Sequence, residues 1–202
     1  MGLPEEFEWV LETSPGADAA MTAAGLDVQR CPLLVLETLT QVEPPPGVTV
    51  SLVSADDPDL AAVEAVAALA FGDGGTAVGH AGPAERDAAV PRVTAGRLSD
   101  LRTRLRAGEQ VRAVARDPEG PLAAGGYQHA GRVAEIVGVA TLPSARRRGL
   151  GAAVTALLAG HALDAGMATV FLSAQNDDVA RVYERVGFRR VATAGLASAP
   201  GY

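Results

Sequence analysis

Apolar residues recur along the chain at two spacings, one typical of strands and the other of helices. Alternating or densely β-branched runs predict strands over 48–53, 111–116, 122–129, 133–142, 168–174 and 188–196. Apolar positions three and four residues apart predict helices over 57–72, 93–107, 149–166 and 177–186. Hairpins in the middle followed by a strand–helix–strand crossover predict an α/β (α+β) fold, with a central mixed, mostly antiparallel sheet flanked by helices.

The first 47 residues are predicted to form an extension with its own elements. Helical spacing of apolar residues predicts a short helix over 5–12, and a second short helix is predicted to end at Gly25. A dense apolar run predicts a strand over 31–39. Three consecutive prolines at 44–46 exclude a helix and favour an extended connector. The predicted division is a helix–helix–strand extension over 1–47 and a main domain over 48–202.

The extension resembles a later part of the same chain. The run Gly25-Leu26-Asp27-Val28 precedes an apolar strand, as Gly187-Phe188-Arg189-Arg190-Val191 does near the end. The extension is then either the remnant of a duplicated half, adding a strand or a helix pair to the sheet or to a dimer contact, or a plain segment that covers an exposed sheet edge. We expect edge coverage.

Composition excludes several classes of enzyme. The chain has 202 residues, and all 17 of its Lys+Arg cations are arginine. A Walker phosphate-binding loop and any enzyme with a Schiff-base lysine, including the pyridoxal-phosphate enzymes, are therefore excluded. The single cysteine, Cys31, allows no internal disulfide. The histidines His80, His129 and His161 are widely separated, so no metal site is predicted.

Charge and hydropathy constrain partners and location. A net charge of −7 argues against a nucleic-acid partner and against an anionic membrane surface. No apolar run approaches the roughly 18 residues of a transmembrane helix. The first six residues carry no basic residue ahead of an apolar stretch, so no secretion signal is predicted. We expect a soluble cytoplasmic protein, with homodimer formation left open.

One segment predicts an anion site. The strand over 133–142 ends at Pro143, a basic loop follows, and Gly149 and Gly151 lie on the first turn of the next helix. Backbone N–H groups in a first helical turn lack intrahelical partners, and the helix dipole places positive charge there. Glycines let an anion approach this backbone closely, and arginines add charge-assisted contacts. The segment therefore predicts a binding site for a pyrophosphate.

Two motifs lie in order on the predicted strands and helices. The pattern Arg-x-x-Gly-x-Gly at Arg146, Gly149 and Gly151 is similar to the coenzyme A loop of the GNAT superfamily of acetyl-CoA-dependent N-acetyltransferases. The segment Asn176-Asp177-Asp178-Val179-Ala180-Arg181-Val182-Tyr183-Glu184-Arg185-Val186-Gly187-Phe188 looks like the family's second signature. With the element order after residue 48, the resemblance extends over about three quarters of the chain.

The resemblance implies a site for acetyl-CoA between two diverging strands, those over 133–142 and 168–174. It implies cofactor contacts from three groups of residues: strand residues for the pantetheine arm, loop and helix residues for the pyrophosphate, and an asparagine for the cofactor arm. These residues are Val139, Ala140 and Thr141; Arg146, Arg147, Arg148, Gly149, Leu150, Gly151 and Ala152; and Asn176.

Two residues are candidates for acid–base chemistry. The resemblance implies that Tyr183 donates a proton to the departing thiolate; otherwise Tyr183 is an ordinary packed aromatic residue. Glu135 is the candidate base that deprotonates the attacking amine, because its spacing before the loop is similar to that of the histone-acetylating members. Glu135 could instead be a solvated strand residue or pair with a cross-strand arginine such as Arg112, and a bulge in the strand would change its direction.

The functional prediction is transfer of an acetyl group to a primary amine of a small molecule or peptide, in a ternary complex. The alternative is a non-catalytic acyl-CoA sensor, which needs the phosphate loop but neither Tyr183 nor Glu135. A dinucleotide-binding protein is excluded, because no Gly-x-Gly-x-x-Gly follows a strand.

Overall fold

The structure is a computed structural model that describes residues 6–199. Its strands are β1 (Phe7–Val10), β2 (Asp27–Leu36), β3 (Thr49–Leu52), β4 (Gln110–Asp117), β5 (Gly120–Ala130), β6 (Val133–Thr141), β7 (Thr169–Ser173) and β8 (Phe188–Ser198). Its helices are α1 (Ala17–Ala23), α2 (Leu60–Gly72), α3 (Pro83–Ala89), α4 (Ala95–Ala107), α5 (Leu150–Asp164) and α6 (Asp177–Glu184). None of the described helices is long and apolar enough to cross a bilayer.

All eight described strands form one sheet in the order β1-β8-β2-β7-β6-β5-β4-β3. Neighbouring strands pair antiparallel except β6 and β7, which run parallel. The predicted mixed, mostly antiparallel sheet with flanking helices is therefore confirmed. Fully buried Leu34, Leu158 and Leu172 belong to the core between sheet and helices. Burying a leucine side chain of this kind stabilises the fold by about 1.5–3 kcal/mol.

The start of the extension differs from the prediction. Residues 7–10 form strand β1 instead of a helix, because β1 pairs with β8 in the register Phe7↔Ala197 to Val10↔Ala194. The indole Nε1 of Trp9 also donates to Asp18 Oδ1 on α1 at 3.0 Å. Tertiary pairing therefore overrides the helical spacing of the apolar residues in this short segment.

Strand β2 lies inside the sheet, between β7 and β8. Edge coverage is therefore wrong for β2, and only β1 covers an edge, that of β8. The pairing of β2 with β8 is centred on Cys31↔Ala194 and Pro32↔Thr193. Because β2 and the main domain share one sheet, the predicted boundary at residue 47 divides the chain but not the sheet.

The two ends of the chain have the same local architecture. Strand β1, helix α1 and strand β2 follow one another as β7, α6 and β8 do. In each unit a left-handed glycine precedes the second strand, Gly25 with φ 80° and Gly187 with φ 104°. Gly187 is also required by packing, because a Cβ there would stand 1.7 Å from the carbonyl oxygen of Thr38. This arrangement favours the duplicated-half interpretation of the extension.

Candidate active site

The sheet opens between β6 and β7. Their parallel pairing runs from Val133↔Thr169 to Glu135↔Phe171 and ends there. Beyond Glu135, strand β6 continues to Thr141, while β7 remains paired with β2 on its other side. The backbone of β6 after residue 135 therefore presents N–H and C=O groups that no neighbouring strand uses on this side.

Strand β6 has a bulge in the stretch that pairs with β5 but not with β7. Ala124 pairs with Ala140 and Gly126 pairs with Val137, so Gly138 and Val139 together face the single residue Gly125. Gly138 has φ 63°, a conformation that a residue with a side chain adopts only under strain. Such a bulge bends the strand and changes which face the following side chains occupy.

The loop after β6 and the start of α5 have the backbone geometry of an anion cradle. Arg147 has φ 66° and is the only non-glycine residue with positive φ in the described chain; Gly149 has φ 82°. Left-handed residues in a turn make successive backbone N–H groups converge on one side, a geometry that binds anions. Gly149 is the N-cap of α5 and supplies no side-chain cap, so the first N–H groups of α5 remain available.

A cavity of about 590 Å³ joins these features. It runs along the unpaired part of β6 to the start of α5, and residues from β1, α2, α6 and β8 complete its wall. Most of the predicted site residues line it: Glu135, Val139, Ala140, Thr141, Arg146, Arg147, Gly149, Leu150, Gly151, Ala152 and Tyr183.

Tyr183 lies on α6 with 8% of its surface exposed. Its ring packs edge-on against Phe188, with 6.3 Å between ring centroids. Its hydroxyl has no hydrogen-bond partner among residues 6–199. Burial raises the pKa of Tyr183 to about 12, because the ionised phenolate would lose its hydration. The phenol therefore keeps its proton at neutral pH, and Tyr183 lines the cavity with this donor unpaired in the described part of the chain.

Glu135 is half-buried at the position where β6 and β7 part. Its Oε2 accepts a hydrogen bond from Gln128 Nε2 at 3.1 Å, across the β5–β6 pair. The pairing with Arg112 considered above does not occur. Arg112 Nη2 instead lies 3.3 Å from Glu64 Oε1, and Arg97 Nε donates to Glu64 Oε2 at 2.8 Å. Glu135 therefore keeps one carboxylate oxygen without a protein donor in the described part of the chain.

Arg146 has partners other than the predicted pyrophosphate. Its Nη1 donates to the carbonyl oxygens of Asp73 at 2.9 Å and Ala77 at 3.0 Å, and its Nη2 donates to that of Ala70 at 3.0 Å. These carbonyls belong to the last turn of α2 and the loop after it, where helix carbonyls lack intrahelical donors. Arg146 therefore fastens the end of α2 to the loop after β6. A contact with a pyrophosphate remains a prediction.

Two predicted cofactor residues lie outside the cavity wall. Arg148 is exposed and does not line the cavity. Asn176 is the N-cap of α6, and its Oδ1 accepts from the backbone N–H of Val179 at 3.0 Å. The capping bond occupies the oxygen of this side chain, which explains why the asparagine stands at this position.

The structure adds residues that the sequence analysis missed. Gly74, Gly75 and Thr76, in the loop after α2, form part of the wall. Glu8 on β1 and Leu196 on β8 also line the cavity. A signal for the loop was available in its glycine content. The sequence contains no signal for Glu8, because residues 5–12 were predicted to form a helix. Only the pairing of β1 with β8 brings Glu8 to the cavity.

The chain is similar to known proteins in both sequence and fold. A profile of the Acetyltransferase (GNAT) family matches residues 63–188, which is more than half of the chain. No curated protein matches the chain. Among solved structures, the chain is similar to a GCN5-related N-acetyltransferase from Kribbella flavida, with 28% identity, a TM-score of 0.66 and coverage of 98% of this chain and 68% of that one.

Two further structures share the fold. A GCN5-related N-acetyltransferase from Sphaerobacter thermophilus is 18% identical, with a TM-score of 0.61 and coverage of 98% of this chain and 62% of that one. A tandem GNAT protein from the clavulanic acid biosynthesis pathway is 16% identical, with a TM-score of 0.62 and coverage of 98% and 63%. The chain thus spans about two thirds of the length of these structures. The family match and the fold show that the chain belongs to the GNAT family of acetyltransferases.

Proposed function

We propose that this chain is an acetyl-CoA-dependent N-acetyltransferase that acts on a primary amine of a small molecule or peptide, by direct transfer in a ternary complex. One observation carries the proposal: the cavity joins an uncapped helix N-terminus, an unpaired strand edge and a phenol without a protein partner. Each of these groups can pair with a ligand, and one extended ligand can satisfy all three.

The parts of acetyl-CoA suit the cavity in order. The diphosphate suits the converging N–H groups at Gly149 and Gly151, where the positive end of the α5 dipole lies. The amide groups of the pantetheine arm suit the backbone of β6 from Val137 to Ala140, which has no neighbouring strand on that side. The hydroxyl of Tyr183 suits the sulfur atom, which gains negative charge as the C–S bond breaks.

The chemistry assigns separate tasks to Glu135 and Tyr183. Acetyl-CoA supplies the acyl carbon, so a C–N bond forms, the C–S bond breaks and the sulfur leaves as a thiolate. Glu135 takes a proton from the acceptor ammonium, because only the neutral amine can attack the acyl carbon. Tyr183 donates a hydrogen bond to the sulfur, and the proton that the sulfur finally gains is balanced by the second proton lost from nitrogen.

The diphosphate cradle can be tested with one methyl group. A Cβ at Gly151 would stand 3.6 Å from Thr141 Oγ1 and 3.8 Å from Val139 Cγ1, so Gly151→Ala fits the fold without a clash. It places the methyl group against the cavity wall, where the ligand must approach. We expect calorimetric titration with coenzyme A to show affinity weakened about tenfold or more. Gly160→Ala in the same helix is the matched control and should bind as the wild type does.

An enzyme and a sensor differ in their response to Tyr183→Phe. The purified protein is mixed with acetyl-CoA and a panel of primary amines, and release of free thiol is followed. For an enzyme, Tyr183→Phe should lower kcat about a hundredfold and leave coenzyme A affinity unchanged. Thiol release that is absent across the panel, with coenzyme A still bound, would instead support the acyl-CoA sensor.

A further inference from the structure

The cavity carries opposite charges at its two ends. Arg146 and Arg147 line it beside the start of α5. Glu135 lines it six residues before Thr141 on β6, a distance of about 20 Å along an extended strand. Glu8 also lines it, from β1. The donor's diphosphate suits the arginine end, so the carboxylate end faces the acceptor.

Strand β1 holds Glu8 in place. Glu8 pairs with Leu196, which also lines the cavity. The next residue, Trp9, packs over Gly195, and its indole is tied to Asp18. Side chains alternate along a strand, so anchoring Trp9 on one face directs Glu8 to the other. The extension therefore supplies a charged group to a site whose remaining residues come from the main domain.

The carboxylate of Glu8 lies close enough to Glu135 to respond to its charge. Partial desolvation of the Glu8 carboxylate at the cavity, and after it the negative charge of Glu135, raises the pKa of Glu8. Neither carboxylate forms a salt bridge within residues 6–199, whereas the buried Glu64 contacts two arginines. In the same cavity the hydroxyl of Tyr183, 8% exposed, also has no partner in this part of the chain. Apart from the bond that Gln128 donates to Glu135, these polar groups have no partner in the described part of the chain, and a ligand can supply one.

We propose that Glu8 and Glu135 bind an acceptor with two cationic nitrogens, Glu135 facing the nitrogen that is acetylated and Glu8 holding the other as an ammonium. This inference rests on the proposed function and names its substrate class. The reacting nitrogen must become neutral, and Glu135 is neutralised by the proton it accepts. Glu8 is exposed in the free protein, so water solvates its carboxylate until an acceptor covers it. A bound monoamine would displace that water without replacing it, whereas a diamine pairs Glu8 with its second ammonium.

The test uses three acceptors of equal length. 1,5-Diaminopentane carries a second ammonium, 5-amino-1-pentanol carries a neutral hydroxyl in its place, and 5-aminopentanoate carries a carboxylate. We expect the wild type to prefer the diamine over the amino alcohol about tenfold in kcat/KM, the effect of a free-energy difference of about 1.4 kcal/mol. 5-Aminopentanoate should be the poorest acceptor, because its carboxylate meets Glu8.

The variant Glu8→Gln removes the charge and keeps the shape of the side chain. We expect the ratio of kcat/KM for diamine over amino alcohol to fall to about one. Glu109→Gln is the matched control, because it changes the net charge equally at an exposed position outside the cavity wall. It should leave the ratio at the wild-type value. A ratio that Glu8→Gln does not change would overturn the inference and leave the proposed function standing.

Calorimetric binding of 1,5-diaminopentane separates failure of the two proposals. If no amine is acetylated but the diamine binds, and Glu8→Gln weakens that binding about tenfold while Glu109→Gln does not, the dication site stands and the acetyltransferase proposal fails. If the wild type neither binds the diamine more tightly than the amino alcohol nor acetylates it faster, the dication site is wrong.

Discussion

Tyr183 shows how burial changes a side chain's chemistry. The phenol is almost enclosed, and its hydroxyl has no partner within residues 6–199. With a pKa of about 12, this donor stays protonated at neutral pH. The same burial makes the folded state hold this proton more tightly than the unfolded chain, whose tyrosines have a pKa of about 10.

The stability of the protein should therefore fall at high pH. Below pH 10 Tyr183 is neutral in both states and costs nothing; between pH 10 and 12 only the unfolded chain ionises, which favours unfolding. We expect Tyr183→Phe to reduce the loss of unfolding free energy between pH 9 and 11.5 by about 2 kcal/mol, as measured by denaturant titration. Equal losses in the two proteins would show that Tyr183 titrates normally.

Arg146 shows that a motif residue can have a structural task. Its guanidinium donates to three main-chain carbonyls at the end of α2 and in the following loop. We expect Arg146→Ala to lower the unfolding free energy by about 2–3 kcal/mol, because the carbonyls lose a charged donor. Proteolysis within residues 73–79 should increase for the same reason.

Arg148→Ala is the matched control for this prediction, since Arg148 is exposed and outside the cavity wall. Its stability should stay within about 0.5 kcal/mol of the wild type. If Arg146→Ala is as stable as the wild type but loses affinity for coenzyme A, the pyrophosphate contact predicted from the sequence would be the correct assignment.

The sequence predicted one part of the cavity wall better than the other. The loop residues Gly149 and Gly151 and the tyrosine Tyr183 could be placed because they belong to contiguous motifs with local geometry. Glu8 and the partners of Arg146 could not, because they depend on contacts between segments far apart in the chain. Spacing along one segment carries no information about which distant strand or carbonyl it will meet.

At the scale of elements, the same distinction separates β1 from the rest. Helix α3 was not predicted, but the other strands and helices from β3 onward lie close to their predicted positions. Strand β3 has only four residues, and its alternating, β-branched sequence still favours a strand. Strand β1 also has only four residues, but apolar residues at positions 7, 10 and 11 fit a helix as well. Its identity is decided by β8, to which it pairs, and by the contact between Trp9 and Gly195.

That contact gives a direct test of how β1 is docked. A Cβ at Gly195 would stand 2.2 Å from the nearest atom of the Trp9 ring, so Gly195→Ala must displace the indole. We expect the unfolding free energy to fall by about 1–3 kcal/mol. Because Trp9 is the only tryptophan, its fluorescence should shift to the red as the ring becomes more exposed.

A matched glycine substitution excludes a general effect of added methyl groups. Gly96 lies in α4, and no atom stands within 4 Å of the Cβ position there. Gly96→Ala should therefore raise stability by about 0.5–1 kcal/mol and leave the fluorescence unchanged. An unchanged spectrum in Gly195→Ala would mean that β1 does not dock through Trp9.

At the scale of the whole molecule, the extension is part of the sheet. Strand β2 is the shared neighbour of β7 and β8, and its Leu34 is fully buried in the core. We expect a fragment over 48–202 to lose cooperative thermal unfolding and to bind a hydrophobic dye, because β7 and β8 would each expose an unpaired edge. Restoring the segment over 1–47 as a separate peptide should recover part of the transition.

The point variant Leu34→Ala calibrates this experiment, since it keeps β2 and removes only one side chain from the core. It should cost about 2–5 kcal/mol and preserve a single cooperative transition. A fragment over 48–202 that unfolds as cooperatively as the whole chain would confirm that the predicted main domain is independent.

The position of β2 has a consequence for biosynthesis. Its two partners, β7 and β8, begin about 130 and 150 residues after it ends. Strand β2 leaves the ribosome early, and both of its edges stay unpaired until β7 and β8 have been synthesised. Unpaired apolar strands of this kind can associate with other chains. Folding in the cell therefore ends with closure around the strand made near the beginning, and production of the protein should be sensitive to chaperone supply during that interval.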